Sequence, residues 1–162
     1  MSPLDALLAP DRLVDLTQPL GPDTVLWPGS TPFAATVVAD YETDGGYARA
    51  DAARYSGATA ADLVFQEHKV AFPGLAPDAA ALLVARGVAG VGIDTLSVDP
   101  GPAEEFPVHR ITLAAGLWHL ECLVNLEAVP TRGAWLVAAA IPLVAGSGAP
   151  ARVFAILPPA GV

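Results

Sequence analysis

Positive charge is what this sequence has least of. Eight Lys and Arg stand against seventeen Asp and Glu, a net charge of −9, and the eight are spread along the chain without a cluster. That argues against a nucleic-acid partner, because binding there rests on Lys and Arg neutralising phosphates. Charged residues of both signs reach only 15 %, while hydrophobic ones make up 53 %. A chain so apolar does not stay disordered. Cysteine is nearly absent: Cys122 stands alone, cannot close an internal disulfide and fits a reducing compartment. The first eleven residues hold acids and prolines but no basic stretch leading into an apolar one, so no signal peptide is expected. The longest apolar run, 134–145, is broken by Pro142 and too short to span a bilayer. A soluble cytoplasmic protein is the expectation, with neither membrane nor nucleic acid among its partners.

What is present suits one domain over 1–162 with a single real core. Residues 12–20 read as an opening strand stopped by Pro19. The stretch 21–32 holds three prolines and two glycines around Trp27, which makes it an ordered loop. Trp27 there either plugs the packing or lines a ligand pocket. Residues 33–39 look like a second strand. The clearest helix runs from Pro77 to Arg86: Pro77 loses nothing at a helix start, Asp78 complements that end, Arg86 the other, and Gly87 stops it. Strands are expected at 88–94, 117–124, 134–144 and 152–157. Strands outnumber helices, so the class is α/β or α+β with a dominant mixed sheet.

Three segments carry a resemblance. They are DLTQPLGPDTVLWPGSTPF (15–33), FPGLAPDAAALLVARGVAGVGIDTLSVDP (72–100), and a third set made of FPVHR (106–110), LECLVNLEAVP (120–130) and GSGAPARVFAI (146–156). In order and spacing they resemble the cyclase family of metal-dependent hydrolases, which includes kynurenine formamidases and isatin hydrolases. The resemblance implies a swivelling β/α fold, usually assembled as dimers or higher oligomers. It also implies a His-x-Gly-Thr-His-x-Asp-x-Pro-x-His segment supplying most ligands for one or two divalent metals, with a later His and Glu completing the second position. His109 and Glu121 match those two later ligands.

The first motif departs from the pattern. Its counterpart is YSGATAADLVF (55–65), which keeps Gly57 but puts Tyr55, Thr59 and Ala61 at ligand positions and Phe65 at the acid/base histidine. Asp62 replaces the missing carboxylate only with a one-residue slip. The chain then passes almost directly to FPGLAPDAA, so part of the usual middle region is expected to be missing. Catalytic zinc wants about three protein ligands plus an open position, and two inherited ones remain. The expectation is therefore no stoichiometric metal and no cofactor.

Two alternatives stay open at that point. If 117–124 is a strand, His119 and Glu121 share a face and would join His109 in a two-His, one-carboxylate set; otherwise His119 is a partly buried residue satisfied by a backbone hydrogen bond. Without metal, His109 and Glu121 suit an acid/base pair, or else simply brace the fold. Tyr55 is a candidate donor to a substrate carbonyl; Trp27, Phe65 and His119 are candidate substrate contacts. His68 reads as a solvated loop residue, Cys122 as an inert thiol, Asp94 and Asp99 as turn caps, and 146–152 as a turn into the last strand.

The function expected first is metal-independent: ring closure, dehydration or isomerisation of a natural-product intermediate, helped by proximity and one moved proton. A metal-dependent amide or lactone hydrolase with a reduced site, and a non-catalytic binding protein or partner subunit, are the alternatives. A small-molecule substrate is the expected ligand. An oligomer, most simply a homodimer, is the expected way to cover apolar surface.

Overall fold

The computed structural model describes residues 9–24, 34–39, 50–54 and 72–159, the second and third of these ranges as backbone alone. Strands Leu13–Asp15 (β1), Ala34–Ala39 (β2), Ala50–Arg54 (β3), Gly90–Gly92 (β4), Trp118–Leu120 (β5), Trp135–Ala140 (β6) and Ala151–Ile156 (β7) accompany two helices, Pro77–Ala85 (α1) and Pro107–Ala114 (α2). The class is mixed α/β with few helices. β1, β7 and β6 form one antiparallel sheet in that order, β2 and β3 a hairpin, and β4 and β5 a parallel pair.

The parallel pair positions the site. Parallel neighbours need a crossover, and here it is the loop 93–106 followed by α2, so β4–α2–β5 is one βαβ unit. Ala80 of α1, Val98 and Val108 of α2 are fully buried together, with Leu75, Val91, Ile93 and Ile111 packed around them. A second cluster, Leu16, Leu123, Val153 and Ala155, ties the antiparallel sheet to the chain leaving β5. Backbone bonds from Leu16 N to Val153 O (3.0 Å) and from Val124 N to Leu16 O (3.2 Å) hold that junction.

Four expected strands are shorter than predicted: 88–94 keeps only Gly90–Gly92, and the other three stop for a local reason. The first stops at Asp15, whose own carboxylate accepts the Thr17 N–H at 3.0 Å and turns the chain. The one expected over 117–124 stops at Leu120, because Cys122 and Asn125 take left-handed φ values of 58° and 57°. The one expected over 134–144 stops at Ala140, just before Pro142. The helix over 107–114 was not predicted, although Pro107 opens it in the position that tolerates a missing N–H. α1 falls where the sequence puts it, with Gly87 in the left-handed conformation after its end (φ 67°).

No helix among the described residues is long and apolar enough to cross a membrane. A cavity of about 270 Å³ is lined by residues that include Leu16, Gly92, Leu123, Leu126 and Trp135; His109, His119 and Glu121 do not line it.

Candidate functional site

Functional groups collect beyond the carboxyl ends of β4 and β5, where open α/β sheets place their ligand crevices. The two exits run side by side, bonded from Ile93 N to Leu120 O (2.9 Å), Leu123 N to Ile93 O (3.0 Å) and Cys122 N to Thr95 O (2.9 Å). From one exit comes Asp99, from the other Glu121, and α2 brings His109 between them.

Asp99 is the pivot. Its side chain is fully buried and accepts three hydrogen bonds: from Val108 N at 2.7 Å, His109 N at 3.0 Å and the His109 ring at Nδ1, 2.6 Å. The first two are orphan donors of the opening turn of α2. Phe106, the residue that would ordinarily cap the helix, is left-handed and makes no side-chain cap bond. Asp99 thus caps α2 from upstream and aims its histidine in the same act. Burial pushes the Asp99 carboxyl up, but the His109 ring and the two backbone N–H groups outweigh it, and the net shift is downward. A carboxylate only accepts, so His109 carries a hydrogen on Nδ1 toward Asp99, and Nε2 is the nitrogen turned toward Glu121.

His109 Nε2 stands 3.5 Å from Glu121 Oε1, with the two side chains 28 % and 31 % exposed. That is ion-pair distance and slightly beyond direct hydrogen-bond reach. Val98 N donates to the same Oε1 at 3.0 Å. Desolvation raises the Glu121 pKa despite that bond and the nearby His109. The His119 ring packs edge-on to His109 with centroids 4.7 Å apart, and its Nε2 is 2.7 Å from Thr112 Oγ1. Desolvation, then the His109 charge, lowers the His119 pKa, so the ring is neutral near pH 7.

One ring nitrogen of each histidine and one Glu121 oxygen lie within 4.8 Å of one another. Two imidazoles and a carboxylate are a donor set that zinc and its neighbours accept, so these residues fit a divalent ion. His119 and Glu121 converge although β5 ends between them, at Leu120.

Of the sequence candidates, the fold brings together His109, His119 and Glu121. Trp27, Tyr55 and Phe65 lie outside the described residues, as do the rest of 55–65 and His68. Asp99 proves more than a turn cap, and Thr112 was not singled out at all. Both become legible only with α2 in place, which sets Thr112 one turn beyond His109. His119 is satisfied by a side-chain hydroxyl, where a backbone partner was expected. Burial, followed by Glu121, raises the Cys122 thiol pKa, in keeping with an inert thiol.

Comparison with known proteins agrees with this frame. A family model, Cyclase, matches residues 42–100. An isatin hydrolase of Roseibium aggregatum is 33 % identical over 116 residues, 69 % of this chain and 44 % of the relative. A kynurenine formamidase of Polaromonas naphthalenivorans is 38 % identical over 81 residues, 50 % of this chain and 36 % of the relative. The chain thus spans less than half the length of these curated relatives. Isatin hydrolase A from Ralstonia solanacearum superposes with a TM-score of 0.77 at 20 % identity, covering 98 % of both chains. Isatin hydrolase A from Labrenzia aggregata superposes with 0.76 at 20 %, covering 95 % of this chain and 97 % of its own. At that identity the superpositions establish a shared fold. Together with the sequence relatives they place this chain in the cyclase family.

Proposed function

We propose that the chain hydrolyses a small amide or lactone with the help of a divalent ion held by His109, His119 and Glu121. The observation that carries this reading is the convergence of those three donors within 4.8 Å. The kinship supports it too, since the relatives named above are an isatin hydrolase and a kynurenine formamidase, hydrolases both. When bound, such an ion supplies Lewis acidity toward a carbonyl oxygen and lowers the pKa of a water. Three protein donors are the number a catalytic site uses when it keeps one position open. His109 would offer Nε2, its Nδ1 hydrogen being committed to Asp99. Glu121 would offer a carboxylate oxygen, steadied by the Val98 N–H. Partial exposure of both side chains leaves a small-molecule substrate room to approach. On this reading the protein acts as a homodimer.

A second reading keeps His109 and Glu121 without an ion, as a proton-transfer pair for ring closure, dehydration or isomerisation of a natural-product intermediate. Their 3.5 Å approach favours it, because catalytic hydrogen bonds often tighten only with substrate bound. Elemental analysis separates the two. Plasma emission spectrometry on protein purified without chelator is expected to find about one zinc or manganese per chain, as three donors at one position require. Protein that stays metal-free, even after incubation with zinc and gel filtration, would leave the proton-transfer reading standing and remove the first.

A further inference from the structure

A hydroxyl of α2 meets the His119 ring. Thr112 lies on α2 one turn beyond His109, on the same face, and is fully buried. Its hydroxyl oxygen is 2.7 Å from the Val108 carbonyl oxygen, 3.4 Å from the His109 carbonyl oxygen and 2.7 Å from His119 Nε2. A hydroxyl has one hydrogen to give. Both carbonyl oxygens only accept, so the hydrogen must go to Val108; otherwise two oxygens would face each other at 2.7 Å with nothing between them. The Thr112 oxygen is then the acceptor for His119, and the ring hydrogen sits on Nε2. What remains on His119 is a neutral ring with its lone pair on Nδ1.

The other histidine is set by the same logic from the other side. Asp99 takes the Nδ1 hydrogen of His109 at 2.6 Å, so the nitrogen turned toward Glu121 is Nε2. Each imidazole therefore has one nitrogen tied to a buried acceptor and the other turned away from it. Outer partners of this kind hold ring orientation and tautomer at metal centres. In this chain both are anchored through one helix: Asp99 by capping its first turn, Thr112 by belonging to it.

We infer that Thr112 is a positioning residue, fixing His119 in the Nε2–H form so that its Nδ1 becomes a ligand of the divalent ion beside His109 and Glu121. His119 thereby supplies a donor that Tyr55, Thr59 and Ala61 do not offer at the positions where the family resemblance puts ligands. The inference rests on the hydrolase reading above for its metal, but the tautomer is open to measurement without one.

The test compares wild type with Thr112→Val, which keeps the shape and removes the oxygen, and Thr112→Ser, which restores it. Ring nitrogens are read by long-range ¹H–¹⁵N correlation in metal-free protein, and zinc affinity by competition with a chromophoric chelator. Circular dichroism confirms that each variant is folded. Wild type and Thr112→Ser are expected to show His119 protonated at Nε2. Thr112→Val should lose that single tautomer and bind zinc about 10–100-fold more weakly, the usual cost of an outer partner. An Nδ1–H tautomer in wild type, or equal zinc affinity in wild type and Thr112→Val, would overturn the role given to Thr112 while leaving the hydrolase reading intact. Wild type that shows the Nε2–H tautomer yet takes up no zinc would overturn the hydrolase reading, and the ligand role of His119 with it.

Discussion

Cys122 follows Glu121 with φ at 58°, a left-handed conformation that costs an L-residue with a Cβ roughly 1–2 kcal/mol. Its neighbour Glu121 accepts from the Val98 N–H and faces His109. Strained backbone of this sort collects at functional sites. Asn tolerates the left-handed region better, because its short polar side chain bonds locally. Cys122→Asn is therefore expected to stabilise the protein by about 1 kcal/mol, a rise in melting temperature of about 2–4 °C for a chain of this size. Differential scanning calorimetry checks it, and a lower melting temperature would contradict the strain argument. His109 and Glu121 could be picked out from the sequence because their neighbours, FPVHR and LECLVNLE, carry the family pattern. Asp99 also lies in a family segment but reads there as a turn cap, and Thr112 has no such neighbours; only their distances to the two imidazoles reveal what they do.

At the scale of elements, the βαβ unit works as a bracket for the site, and Gly74 locks it. A Cβ on Gly74 would lie 2.4 Å from the Asp99 carbonyl carbon and from Pro100 N, and 2.8 Å from the Asp99 oxygen. All three are backbone atoms and cannot swing aside. The same approach lets Leu75 N reach Val98 O at 2.8 Å and Gly101 N reach Phe72 O at 3.0 Å. Gly74→Ala is expected to push the 98–100 segment away, destabilising by about 1–3 kcal/mol as overpacking does. Because Asp99 moves with that segment, zinc affinity should fall as well. Gly21→Ala is the control, since nothing lies within 4 Å of a Cβ there. Urea unfolding of both variants decides: equal stability would mean the loop gives way freely. Strand lengths at this scale were overestimated from sequence wherever a left-handed residue or an Asx turn interrupted an apolar run.

For the molecule as a whole, the telling surface is β6 and the loop after it. Residues 134–151 contain no charged side chain. Trp135 is 72 % exposed and Val144 fully so, with Leu136, Ile141 and Leu143 also exposed within the chain. Among the described strands, β6 has a neighbour on one side only, and an apolar edge invites a second chain. With a net charge of −9, two copies repel over most of their surface and least where no charge stands. Multi-angle light scattering at low micromolar concentration is expected to give at least twice the 16.5 kDa chain mass. Trp135→Lys with Leu143→Lys should reduce it to the monomer without changing the circular dichroism spectrum. A wild-type monomer under those conditions would count against this face as an interface.

Sequence alone determined the family, the α/β class and helix α1, and it named all three clustered residues, His109 and Glu121 from the family pattern and His119 as an alternative. Those depend on local order: a proline, an acid and a glycine bound a helix, and a histidine or glutamate keeps its place within a short pattern. Which residues serve the site was decided only by tertiary structure. A buried carboxylate eight residues before a helix can cap it, and a hydroxyl seven residues before a histidine can hold its hydrogen, only once a crossover folds them together. No spacing rule encodes such contacts, because hydrogen-bond direction depends on where each donor has already been committed.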